Sequence, residues 1–307
     1  LNNNISELFA PPVGLHSIPI FGNLKLYTSN HIRNSFLKSM YKTNKMKPII
    51  ESLTKLVNNN IVVPCFLTKG IVSTILYRLH PTDRIRSEEQ YFREEFRQVF
   101  GFYEIDSNKI YILISNSINK YGFVDNNLLS EILVHETMHM FAANHPDKFI
   151  SIFRKKLFDF YYFYFQDTFK LKGVFDLEIE SIIKFLFEKV EKEKNIDNKI
   201  LTKYHKKLMS LKSYSTLDSK AFDTLANQYI VLIKLFTKSV SIFIKNISTF
   251  SHILSSIDRS YKNVFGGIDV KNVAVQELLF PSEVISVYSE IPGTDMADVY
   301  KVFKLLS

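Results

Sequence analysis

The stretch GFYEIDSNKIYILI, Gly101 to Ile114, reads as two strands joined by a turn. Gly101 to Ile105 alternates as a strand should, Asp106-Ser107-Asn108 supplies turn chemistry, and Lys109 to Ile114 is β-branched and aromatic. A polar loop, 115–127, follows this hairpin. The chain then turns from a period of two to an apolar helix, expected from Leu128 to Ala143. Asp125, Asn126 or Asn127 can cap its start, and Asn144 with Pro146 ends it.

Working outward, residues 1–48 carry Pro11, Pro12, Gly14, Pro19 and Gly22 and read as an extended arm ending in a helix near 31–43. Residues 49–58 look helical. Ile61 to Leu67 is a β-rich run broken by Pro64, 71–79 is a strand or short helix, and Ser87 to Val99 is a charged helix. From Pro146 to about Tyr261 the periodicity is helical throughout, with breaks near Gly173, Asn195 and Ser213. Gly266-Gly267 marks a loop, Val270 to Val275 a short strand, and Pro281 opens a helix as a first-turn proline can. A last helix runs from Thr294 to Leu306. The pattern predicts an α+β chain dominated by helices, with a small sheet beside the helix after the hairpin.

Composition narrows the class without naming an activity. The 307 residues are 46% hydrophobic and 23% charged, enough to bury a sizeable core, and Phe and Tyr are abundant at 27 and 16. The single cysteine, Cys65, excludes an internal disulfide and reads as a small buried hydrophobe. Residues 1–15 offer Asn2, Asn3, Asn4 and Glu7 where a secretory signal would have a basic start and an apolar run, so no signal is expected. Gln228 to Ile253 is the most apolar long stretch. Lys234, Lys238 and Lys245 interrupt it, so no membrane span is expected where about 20 nearly charge-free residues are needed. The net charge is +8, and the run Lys25, Arg33, Lys38, Lys42, Lys45, Lys47 contains no acid. No nucleic-acid-binding module accompanies it, so a solvated surface or an acidic protein partner is the reading, and no nucleic acid is expected.

Within the apolar helix lies His135-Glu136-Thr137-Met138-His139, an H-E-x-x-H pattern. Residues four apart on a helix are rotated by only about 40°, so both imidazoles can reach one ion. The glutamate, one residue on, lies beside that ion and can take a proton from the water it activates. Chance produces the pattern in roughly one such chain in a hundred, so its surroundings matter. Leu129, Ile132, Leu133, Val134, Met138, Met140 and Phe141 enclose it, and two histidines and a glutamate in such a helix are costly without a partner.

The hairpin at 101–114 followed by Leu133-Val134-His135-Glu136-Thr137-Met138-His139 resembles the zincin metallopeptidases. The resemblance covers about residues 100–145, and 276–291 more weakly; it does not reach the helical middle. It implies Zn2+ held by His135 and His139, Glu136 as the catalytic base, and a peptide added as a strand along Ile110, Ile112 and Ile114. The third ligand stays open among several residues. Pro281-Ser282-Glu283-Val284-Ile285-Ser286 resembles the gluzincin pattern, a glutamate followed three residues later by a small side chain, which nominates Glu283. His145, six after His139, fits the metzincin pattern except that Ala142 stands where that pattern has glycine. Glu178 and Glu180 are closer in sequence than Glu283. Tyr288 is a candidate donor to the transition state.

The expected organisation is an arm over 1–48, a zincin-like core over 49–147, a large helical insertion over 148–262, and a C-terminal segment, 263–307, that completes the metal site. The expected function is zinc-dependent hydrolysis of peptide bonds in a peptide or protein substrate, in the cytoplasm or associated with a virion. The alternative is a non-catalytic assembly protein, such as a virion component, that uses its helical region for protein contacts.

Overall fold

The computed structural model describes residues 18–19, 25–26, 47–59, 61–62, 64–67, 101–105, 108–113, 126–191, 196–238, 250–266, 277–290 and 296–307. The expected elements at 31–43, 71–79, 87–99 and 270–275 lie outside these residues, as does Ile114. In chain order the strands are β1 (Ile18–Pro19), β2 (Lys25–Leu26), β3 (Pro64–Leu67), β4 (Gly101–Glu104) and β5 (Lys109–Leu113), with helix α1 (Lys47–Asn58) between β2 and β3. The helices that follow are α2 (Asn126–Asn144), α3 (Pro146–Phe169), α4 (Asp176–Phe185), α5 (Asn198–Met209), α6 (Ser219–Lys238), α7 (Ser251–Phe265), α8 (Pro281–Ser289) and α9 (Ala297–Leu306). Helix dominates. No helix among the described residues is long and apolar enough to cross a membrane.

The chain folds as two compact units, one of residues 1–149 with 289–307 and the other of residues 150–288. In the first, β4 and β5 pair antiparallel with Tyr103 opposite Ile110 and Gly101 opposite Ile112. The turn holds Asn108 at φ 52°, a left-handed conformation that asparagine tolerates. The Asn108 side-chain oxygen accepts from the Tyr103 hydroxyl at 2.9 Å and from the Asn144 amide at 3.1 Å. One turn residue thus ties the hairpin to the end of α2, against which β4 and β5 pack.

The sheet order corrects one expectation. β3 runs parallel to β5, with Pro64 opposite Ile110 and Phe66 opposite Ile112, so the order is β3-β5-β4. β5 is the central strand, its backbone groups are engaged on both sides, and Ile110 and Ile112 are fully buried. Neither can pair with an incoming peptide. Helix α1 buries Ile49, Leu53 and Leu56, an i, i+4, i+7 stripe. It packs on α9, which buries Val299, Val302 and Phe303 and also touches α2.

The second unit is built on aromatic side chains. Along α3, Phe153, Leu157, Phe160, Tyr164 and Phe165 are buried at helical spacing. Their rings meet α6 and α7: Phe169 lies 4.9 Å from Phe222, Tyr164 5.7 Å from Tyr229, and Phe160 6.1 Å from Phe265. The chain leaves α3 through Lys170 at φ 50° and Gly173 at φ 106°. Phe175 then stacks on Tyr162 with centroids 4.6 Å apart, fixing the approach to α4. The unit runs past residue 262, through most of α8, to Tyr288.

Candidate metal centre

Helix α2 is buried nearly all round. Ile132, Leu133, Val134, Met138, Met140, Phe141 and Ala142 are buried, and Glu136 and Thr137 are buried among them. Such a helix can carry polar groups only where each finds a partner. Thr137 donates its hydroxyl back to the Leu133 carbonyl at 2.6 Å, which satisfies it within the helix. His135 and His139 meet one turn apart, with ring centroids 4.9 Å apart and planes inclined by 58°. Their Nε2 atoms lie 3.1 Å from one another.

That separation is informative. Two nitrogens at bond lengths of ~2.0–2.1 Å in a tetrahedron around zinc stand about 3.3 Å apart. Two imidazole nitrogens brought this close also need a proton or a cation between their lone pairs. The Glu283 carboxylate joins them: one ligand atom from each of His135, His139 and Glu283 lies within 4.8 Å of the others. Two neutral nitrogens and one carboxylate oxygen are a donor set suited to a borderline divalent ion such as zinc. The residues present fit a metal ion.

Glu283 sits in the first turn of α8, where the helix macrodipole favours a carboxylate. Pro281 opens that helix and Ser286, three residues after Glu283, is fully buried. The other nominated ligands are engaged elsewhere. His145 is the junction between α2 and α3: its N–H donates to the Phe141 carbonyl at 2.8 Å and its own carbonyl accepts from Phe149 at 2.9 Å. Its ring rests 5.2 Å from that of Phe141. With Pro146 at the first position of α3, His145 serves as the cap of a new helix. Glu178 accepts from the Tyr214 hydroxyl at 3.1 Å, and Glu180 pairs with Arg154 at 2.5 Å. Tyr288 has the surroundings of a core side chain, buried with its ring 4.9 Å from Phe265 and the Lys156 ammonium 5.2 Å over its face.

Sequence reading missed Glu290. Its Oε1 lies 2.5 Å from His135 Nδ1, and both side chains are largely shielded, at 27% and 13% exposure. The contact sets a carboxylate beside the ring nitrogen that points away from His139, while Nε2 faces it. Glu290 follows Glu283 by seven residues, two helical turns, and so falls on nearly the same face as α8 gives way to a turn. That spacing was the available signal.

Comparison with known protein families, with curated proteins and with solved structures finds no match to this chain.

Proposed function

We propose that this chain is a zinc metallopeptidase of the zincin type, with His135, His139 and Glu283 as the metal ligands and Glu136 as the general base. The observation that carries the reading is the convergence of those three donor groups on the face of a buried helix whose sequence also holds Glu136. A zinc ion held by His135, His139 and Glu283 would supply Lewis-acid chemistry, making a water more acidic and a carbonyl more electrophilic. The protein's own contribution begins with Glu136, which accepts the proton of the attacking water and returns it to the leaving amine. Burial of Glu136 keeps that carboxylate in a low-dielectric setting, where proton transfer is not levelled by bulk water. Glu290 lies against Nδ1 of the His135 ring, where a carboxylate favours the tautomer that leaves Nε2 for the metal. A peptide substrate added as a strand would use the outer edge of β4, because among the described residues no strand pairs there.

The test is Glu136→Gln in the full-length protein. The variant is expected to retain one equivalent of zinc by elemental analysis and to lose peptide cleavage by at least ~100-fold, the scale of a removed general base. Undiminished turnover would end the proposal.

A second reading has its own support. Val174 and Leu177, in the second unit, are 78% and 79% exposed and would be contact points in a non-catalytic assembly role. Such a role would show as stoichiometric metal with no cleavage of itself or of copurifying proteins.

A further inference from the structure

Helix α8, which presents Glu283, has nine residues, too few to keep an orientation by helix propensity alone. Its direction must be set by what holds its ends. Pro281 has no N–H to offer, so the first donor of the helix that needs a partner is the Ser282 amide. That N–H donates to Glu191 Oε1 at 2.9 Å, and the Ser282 hydroxyl donates to the same oxygen at 2.9 Å. The Val284 amide then closes the first helical turn on the Phe280 carbonyl at 3.0 Å. Just upstream, the buried Tyr161 hydroxyl donates to the Leu279 carbonyl at 2.9 Å.

Glu191 is itself unusually placed. It is the last residue of a π-helical turn, Leu186–Glu191, that continues α4. A π turn inserts a residue into the helical count and re-aims the side chains that follow, at a cost that is kept where the new direction is used. Here the re-aimed carboxylate reaches the N-terminus of a helix 91 residues further along the chain. It meets both free donors and the positive end of the macrodipole there.

We propose that Glu191 is a positioning residue for metal binding: by clamping Ser282 it sets the rotation of α8 and so delivers the carboxylate of the next residue, Glu283, to His135 and His139. The inference rests on the metal-site reading above. Ligand distances tolerate only about ±0.2 Å, and adjacent helical residues are about 100° apart, so a small rotation of so short a helix withdraws the ligand.

The experiment measures Zn2+ affinity of the full-length protein by competition with a chromophoric chelator, and the visible spectrum after Co2+ loading. The proteins are wild type, Glu191→Ala, Glu191→Gln and His135→Ala. Glu191→Ala is expected to bind zinc ~10–100-fold more weakly and to give weaker, shifted cobalt bands, the scale of a lost supporting contact. Glu191→Gln retains an acceptor oxygen and restores affinity to within a few-fold, on the order of the difference between charged and neutral capping. Wild-type affinity and spectrum in Glu191→Ala, with binding lost in His135→Ala, would overturn the positioning role and leave the metal site standing. Absence of stoichiometric zinc in the wild type would overturn both. Should Glu191→Ala fail to fold, Glu191→Gln combined with Ser282→Ala decides: an affinity loss of about tenfold supports the role, and wild-type affinity refutes it.

Discussion

His135 and Glu283 reach the same group by different routes. His135 is carried by a long buried helix and has Glu290 beside its Nδ1, whereas Glu283 depends on the setting of a short helix. Under the proposed reading, replacing a ligand should therefore be distinguishable from replacing a neighbour. Glu283→Ala is expected to weaken zinc binding by more than the ~10–100-fold that loss of an outer carboxylate costs. His145→Ala should leave affinity unchanged and lower only stability, because the His145 side chain packs its ring on Phe141. A chelator titration of the two variants checks this, and equal losses would contradict the ligand set. His135, Glu136 and His139 were legible in the sequence because one helix places them and its periodicity is local. The third member of the group could only be nominated, since the sequence does not say which distant carboxylate joins the histidine pair. Ala142 in place of glycine argued against His145, and Ser286 argued for Glu283; both were clues about backbone geometry.

Strands and turns were legible to different depths. The alternation around Asp106-Ser107-Asn108 locates the hairpin, and the structure pairs Tyr103 with Ile110 across it. Side-chain alternation tells which face is buried and is silent on which edge is paired. That is why β5 was expected to receive a substrate strand, although β3 already occupies that side. The helix at Pro281 was readable from proline chemistry, whereas the π turn before Glu191 has no sequence signature. Asn108 offers a test at this scale. Asn108→Ala and Asn108→Gly both lose the contacts to Tyr103 and Asn144, but only alanine is strained at φ 52°. Urea unfolding should find the alanine variant less stable than the glycine variant by ~1 kcal/mol. Equal midpoints would show that the turn relaxes without cost.

For the molecule as a whole, the abundance of Phe and Tyr becomes the core of the second unit. Tyr161, Tyr164, Tyr204 and Tyr229 are all fully buried there. Burial, reinforced by the crowding of other phenols, pushes the Tyr161, Tyr164 and Tyr204 hydroxyls well above their usual range, and burial raises Tyr229 as well. The folded protein thus holds these protons more firmly than the unfolded chain does. The stability they contribute is complete below the unfolded phenol value of about 10 and is lost as pH rises above it toward the raised folded values. In an alkaline titration, tyrosinate absorbance from this group should appear together with loss of helical circular dichroism. Tyrosinate forming while the helices persist would contradict the buried cluster. Composition announced the aromatic wealth, but only packing gives it a pH dependence.

Chain order gives the placement of Glu283 and Glu290 a further meaning. A ribosome completes His135 and His139 before it reaches these two acids, Glu283 lying 144 residues after His139. A nascent or prematurely terminated product therefore carries the imidazole pair without the carboxylate that joins it or the one that orients it. Under the proposed reading, hydrolytic competence arrives only once Glu283 has been added, which spares shorter, partly made copies and their neighbours from premature cutting.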